Sequence, residues 1–329
     1  MNISNNFKSG RHFLQIPGPT NIPDRVLRAM DYPIIDHRGP EFSDMAKNIL
    51  ENIKMLFKTK EPVIIYPASG TGAWESAIVN TLNEGDKVLM FETGHFSSLW
   101  LEIAKKFKLE VDFVDGDWRT GVDPKIVEQK LLEDKEKKIK AIFVVHNETS
   151  TGVTSRIPEI RKAIDNAKHS CLFFVDTISS LGSMDYKHDD WGVDVTIGGS
   201  QKGLLLPPGL SFNAISSKAI EAYKKSKLSK SYWDWKPMID NNKNGFFPYT
   251  PATNLLYGLN EALKMLFEEG LENVFKRHER LAEATRMAVN GWGLEILCKN
   301  KNEYSNSLTA VLVPENCNAD DLRKIILDN

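Results

Sequence analysis

Short apolar runs, each closed by small or polar residues and most followed by a segment of helical period, recur from Pro62 to Ile215. This pattern restricts the fold more than any other feature. Val63 to Tyr66, Lys87 to Phe91, Glu110 to Val114, Ala141 to Val145, Leu172 to Val175, Val193 to Ile197 and Leu210 to Ile215 read as strands. Ala73 to Leu82, Phe96 to Phe107, the segment after Asp123-Pro124 and Ile157 to Ala167 read as the helices between them, with Asp123 as N-cap and Pro124 in the first turn. Such alternation predicts an α/β fold, a mostly parallel sheet covered on both faces by helices. Open α/β sheets bind ligands at the carboxyl ends of their strands. The residues that close each run are therefore where chemistry is expected.

The flanks read differently. Residues 11–22 are extended, punctuated by Pro17-Gly18-Pro19, and a helix runs from Pro23 to Met30 with proline in its first turn. After the polar turn Asp36-His37-Arg38-Gly39-Pro40, the residues Phe42, Met45, Ile49, Ile53, Leu56 and Phe57 fall at helical spacing. Lys218 to Lys230 reads as a solvated helix and loop, followed by Tyr232-Trp233-Asp234-Trp235 and a turn at Asn241–Gly245. Helices over Asn254–Phe267 and Asn273–Asn290 lead to strands near Leu294–Leu297 and Leu308–Val313 and a helix near Ala319–Leu327, a smaller α+β piece. The expected division is an N-terminal extended segment over 1–22, a large domain over 23–268 and a partial small domain over 269–329.

Bulk properties narrow the function. A net charge of −2 with 26% charged residues does not suit a dedicated nucleic-acid or membrane-surface binder. The apolar runs fall short of a membrane span, and the first residues lack a signal-peptide core. Cys171, Cys298 and Cys317 are far apart without a CxxC, which fits a cytoplasmic, reducing compartment. The seven histidines show no paired ligand spacing, and no metal site is expected.

Two strand ends carry the sharpest signal. Asp176 closes the run Leu172–Val175, and Lys202 follows the run Val193–Ile197 through Gly198-Gly199-Ser200-Gln201. An amine and a carboxylate at the carboxyl ends of strands suit pyridoxal phosphate, which takes a lysine amine as a Schiff base and an acid partner at its ring nitrogen. Alone, the same two residues also fit a loop aspartate and a solvated lysine. Pro67-Ala68-Ser69-Gly70-Thr71-Gly72 is a turn of small residues before a helix. It fits a phosphate cradle, and equally an ordinary strand-to-helix turn.

Together these landmarks resemble the class V aminotransferases of fold type I, closest to the serine–glyoxylate, alanine–glyoxylate and pyridoxamine–pyruvate group. The resemblance runs from about Phe13 to the end. It rests on Pro17-Gly18-Pro19-Thr20, Asp36 to Phe42, Ser69-Gly70-Thr71-Gly72, Glu148-Thr149-Ser150-Thr151-Gly152, Val175 to Gly182 and Gly199-Ser200-Gln201-Lys202-Gly203. It implies that Lys202 is the Schiff-base lysine and proton shuttle and that Asp176 is the partner of the ring nitrogen. Phe96 would stack on the cofactor ring, Thr149 would bond its hydroxyl, and Ile178 would pack on the other face. Gly70, Thr71, Gly72 and Gln201 would hold the phosphate, and Thr250 would reach the phosphate of a neighbouring subunit, which implies a homodimer. Phe96 also fits a core position, and His37 and Arg38 fit structural roles as well as functional ones. The implied reaction is ping-pong transfer from serine or alanine to glyoxylate or pyruvate.

One departure stands out. The family's C-terminal Arg-Ile-Gly-like motif, which grips the substrate carboxylate, is absent; Arg277, Arg280, Arg286 and Arg323 lie outside any such motif. The chain accordingly reads as a C-terminally truncated homologue, which leaves a cofactor-binding but catalytically impaired form as the alternative. A cysteine desulfurase shares the fold but needs a mobile reactive cysteine, and Cys298 and Cys317 lack that family's flanking pattern. A nicotinamide enzyme is disfavoured because no GxGxxG follows an early strand.

Overall fold

The computed structural model describes residues 14–328, so the expectations for a signal peptide and for the chain before Leu14 lie outside the described residues. A seven-stranded sheet organises the molecule. Its strands are β1 (Val63–Tyr66), β2 (Lys87–Phe91), β3 (Glu110–Val114), β4 (Ile139–Val145), β7 (Leu172–Asp176), β8 (Val195–Gly199) and β9 (Ser211–Ile215). The spatial order is β1-β9-β8-β7-β4-β2-β3. Strands β3, β2, β4, β7 and β8 are mutually parallel, and β9 runs antiparallel to both of its neighbours. A two-stranded hairpin, β5 (Asn147–Glu148) with β6 (Val153–Thr154), follows β4. The sequence pattern does not declare this hairpin, because strands of two residues carry no periodicity.

The continuous apolar runs are explained by burial on both faces. Along β7, Leu172 and Phe174 enter one core while Phe173 and Val175 enter another; Phe143 and Val145 of β4 likewise oppose Ile142 and Val144. The first core is closed by α3 (Gly70–Thr81), α4 (His95–Lys106) and α8 (Trp235–Asn242), and the second by α5 (Pro124–Glu133) and α6 (Ile157–Asn166). A third core joins α2 (Pro40–Phe57), β1, β9 and α9 (Thr253–Glu269). Short helices α1 (Asp24–Met30) and α7 (Ser217–Tyr223), the long α10 (Leu271–Gly291) and the terminal α11 (Ala319–Asp328) complete the α-helices among the described residues. None of them is long and apolar enough to cross a membrane.

Three expectations are corrected. Pro23 is the N-cap of α1, with extended backbone, and helix begins at Asp24. Gly70, Thr71 and Gly72 are the first turn of α3, and the turn before it ends at Ser69; their low helix propensity hid this start. The strands expected near Leu294–Leu297 and Leu308–Val313 reduce to one bridge, Ile296 to Val311, held by the Leu297 amide on Ala310 and the Leu312 amide on Glu295.

Candidate active site

Adjacent parallel strands bring Asp176 and Lys202 to one end of the sheet. Asp176 is the last residue of β7 and pairs in register with Ile197 of β8, five residues before Lys202. Leu172, Phe174 and Asp176 alternate onto the same face, so the carboxylate lies on the α3–α4 side.

Asp176 is almost wholly buried. Its Oδ1 accepts the Ile178 amide at 2.8 Å, and its Oδ2 accepts the Trp74 indole N–H at 2.7 Å. Burial pushes its pKa up to about 7, against the pull of those two donors; Glu148 adds to the rise and Lys202 opposes it. Burial also lowers the Lys202 amine below the ordinary lysine range, with the Asp176 charge acting the other way. The Lys202 Nζ donates to the Pro17 carbonyl. A Cβ on Gly18 would fall 2.5 Å from the Lys202 side chain, so the Pro17-Gly18-Pro19 segment lies directly against the amine.

The first turn of α3 forms the neighbouring wall. Ser69 makes no side-chain cap. The Gly72 amide is spent on the Ser69 carbonyl at 3.0 Å, while the amides of Gly70 and Thr71 have no acceptor among the described residues. A Cβ on Gly70 would collide with Ile178 Cδ1, and one on Gly72 would lie 2.5 Å from Trp233. Glycine is thus demanded by close approach at both positions. Gln201 lies on the same side, its amide oxygen buried without a partner and 3.0 Å from where a Gly199 Cβ would sit.

Phe96 is the second residue of α4, partly buried against the first core. Its amide donates to Glu148 Oε1 at 3.2 Å, and the Ser97 amide donates to Oε2 at 3.1 Å. Glu148, fully buried, therefore caps α4 from β5, and Gly94 leaves the room: a Cβ there would lie 2.5 Å from Glu148 Cγ. Thr149 follows directly, buried beside Ser150, whose amide and hydroxyl also donate to Glu148 at 3.1 and 2.7 Å. Thr250 stands apart. It is exposed and lines a separate hollow of about 530 Å³ with His37, Arg38, Phe247 and Tyr249.

Sequence reading did not single out Trp74, Trp233 or the capping role of Glu148. Trp74 sits inside an ordinary helical pattern and Trp233 in a polar loop, so neither had a local signal; Glu148 was visible only within its motif.

The residues fit pyridoxal phosphate. The site combines a buried carboxylate for a protonated ring nitrogen, an amine depressed by burial for the aldehyde, and, for the phosphate, an uncapped helix start whose Gly70 and Thr71 amides have no acceptor among the described residues.

Comparison with known proteins places these features in context. The family model "Aminotransferase class-V" matches residues 12–329. A serine–glyoxylate aminotransferase of Methylorubrum extorquens is 49% identical over 318 residues, covering 95% of this chain and 79% of that protein. An L-aspartate–glyoxylate aminotransferase of Paracoccus denitrificans is 45% identical over 305 residues, covering 92% of this chain and 77% of that one. Among solved structures, an alanine–glyoxylate aminotransferase from Nostoc sp. superposes with a TM-score of 0.91 at 27% identity, covering 98% of this chain and 85% of the other.

Proposed function

The chain belongs to the class-V aminotransferase family, with pyridoxal phosphate as its cofactor, and from that premise we propose that it transfers the amino group of a small amino acid, serine or alanine, to glyoxylate. The observation that carries this reading is that buried Asp176 and half-buried Lys202 come together at the ends of adjacent strands. The names of the two sequence relatives above agree on glyoxylate as acceptor and differ on the donor.

Pyridoxal phosphate, when bound, supplies the electron sink that lets a proton leave the α-carbon of the donor. The protein's residues do the rest. Asp176 holds its carboxylate toward a protonated ring nitrogen, whose positive charge lowers the cost of ionising a buried acid. Lys202 would hold the aldehyde. Once released, its amine, depressed by burial, would carry the proton from the donor α-carbon to the cofactor's aldehyde carbon, and in the reverse direction for the acceptor. The Gly70 and Thr71 amides, with Gly72 and Gln201, would receive the phosphate, and Phe96 and Ile178 would flank the ring. Thr149 would bond the ring hydroxyl. The donor leaves as a 2-oxo acid before the acceptor enters, a ping-pong sequence.

The finer proposals follow the same family logic. The working form is a homodimer in which Thr250 reaches the partner's phosphate site. The large domain spans 23–268, and residues 269–329 belong to a small domain. The compartment is cytoplasmic, a reading supported by Cys171, Cys298 and Cys317 all being free thiols. The desulfurase alternative is weakened because burial raises the Cys298 thiol, opposite to what a reactive thiolate needs.

Glycine formation from glyoxylate tests the reading, with L-serine, L-alanine and L-aspartate compared as donors to cofactor-loaded protein. Glycine with serine or alanine is expected. Protein that binds cofactor but makes no glycine with any donor would leave the impaired-homologue reading in its place.

A further inference from the structure

Trp74 has no part in the roles assigned above, yet among the described residues it is the one side chain that bonds the Asp176 carboxylate. We propose that Trp74 is the positioning residue that fixes the Asp176 carboxylate and keeps its free lone pairs facing the cofactor ring nitrogen. The inference rests on the reading of Asp176 as that nitrogen's partner.

The chemistry of the donors carries the argument. A carboxylate has about four lone-pair directions. The Ile178 amide takes one on Oδ1 and the Trp74 indole takes one on Oδ2. Both donors lack any acceptor capacity, so neither can accept a proton from the acid. Tying each oxygen fixes the rotation of the carboxylate plane, and a proton or cationic donor must approach from the open side.

The indole is itself held rigidly. Trp74 is 2% exposed and stacks on Trp100 with ring centroids 5.5 Å apart and planes 12° from parallel. Trp100 stacks on Phe143 at 4.7 Å, and Phe143 on Phe174 at 4.8 Å. Phe174 lies two residues before Asp176 on the same face of β7. The stack thus runs from the carboxylate through α3, α4 and β4 and returns to the strand that carries it. Trp100 spends no indole hydrogen bond, its Nε1 being buried without a partner. Packing alone therefore holds that ring, and the Trp74 bond to Asp176 is not a requirement of the stack.

The charged and titratable groups acting on Asp176 are Glu148 from β5 and Lys202 after β8, and Tyr186 in turn feels its charge. A pH titration of the apoprotein must be read with these in view.

The test is the indole ¹H–¹⁵N spectrum of the apoprotein, in which the Trp74 signal is identified by its loss in Trp74→Phe. In the wild type this signal is expected to move between about pH 5.5 and 8.5 as Asp176 titrates, and in Asp176→Asn to lose that movement. Folded Trp74→Phe is expected to bind pyridoxal phosphate about tenfold more weakly, the scale of one charged hydrogen bond. A Trp74 signal that behaves identically in wild type and Asp176→Asn overturns the proposal. So does a folded Trp74→Phe protein with unchanged cofactor affinity. If Trp74→Phe does not fold, an isosteric benzothienyl analogue at position 74, which keeps the ring and removes the N–H, identifies the signal and takes its place in the binding measurement. The spectra need no cofactor, so indole–carboxylate coupling in a protein that fails to bind pyridoxal phosphate would sink the functional reading and not the contact.

Discussion

Asp176 sets a pH dependence that belongs to the apoprotein. Its ordinary pKa of 3.8 rises to about 7 on folding. Between those values the unfolded chain has released the proton while the folded apoprotein keeps it. The folded state then binds more protons, so stability falls as pH climbs from about 4 to about 7, by on the order of 4 kcal/mol. Asp176→Asn stays neutral and escapes this loss. Urea unfolding of both apoproteins across that range should show the variant gaining on the wild type as pH rises, with the difference constant above about pH 8. A difference that does not change with pH would mean that the carboxyl is ionised at its ordinary pKa in the folded protein. Asp176 and Lys202 were legible in the sequence because one closes an apolar run and the other follows one. Trp74 was not, because it lies on helix α3, its partner lies on β7, and only the folded sheet brings them together.

At the scale of elements, the end of α4 that carries Phe96 depends on a carboxylate supplied from β5. Glu148 accepts two amides of α4 and two donors of Ser150, and its charge suits a helix N-terminus. Glu148→Gln keeps one acceptor and loses the charge; a cost of about 1–3 kcal/mol is expected by urea unfolding, together with weaker cofactor binding through a displaced Phe96. Unchanged stability would show that the cap is dispensable. The elements differ in how plainly the sequence declares them. Strands β2 and β3 are readable to the residue, β2 because Val88 to Phe91 are a buried apolar run and β3 because Val111 and Phe113, packed on the core, alternate with Glu110 and Asp112. The start of α3 was not, because Gly70 and Gly72 are present for close approach to Ile178 and Trp233 and look like a turn. Helix α8 was missed because among its eight residues only Trp235 and Met238 are buried, too few to set a period.

For the molecule as a whole, the parallel core of the sheet and its two covering layers were foreseeable from alternation alone, whereas the reversed strand β9 was not, since direction leaves no trace in a buried run. The proposed dimer makes a distinctive claim about how a site is shared. If Thr250 serves the partner's site, Lys202→Ala and Thr250→Trp proteins, each impaired alone, should recover activity when refolded together. Half of the dimers would be mixed, each with one intact site, giving about a quarter of wild-type turnover. No recovery in mixed dimers would place Thr250 in its own subunit's site or in none.

The central claim, that Lys202 beside Asp176 holds pyridoxal phosphate for amino transfer, is tested most directly by the visible absorption spectrum of the folded protein with added cofactor. The account predicts a band in the wild type that is absent from Lys202→Ala, bleaches with L-serine or L-alanine and returns with glyoxylate. A folded wild-type protein with no band that depends on Lys202 would contradict it.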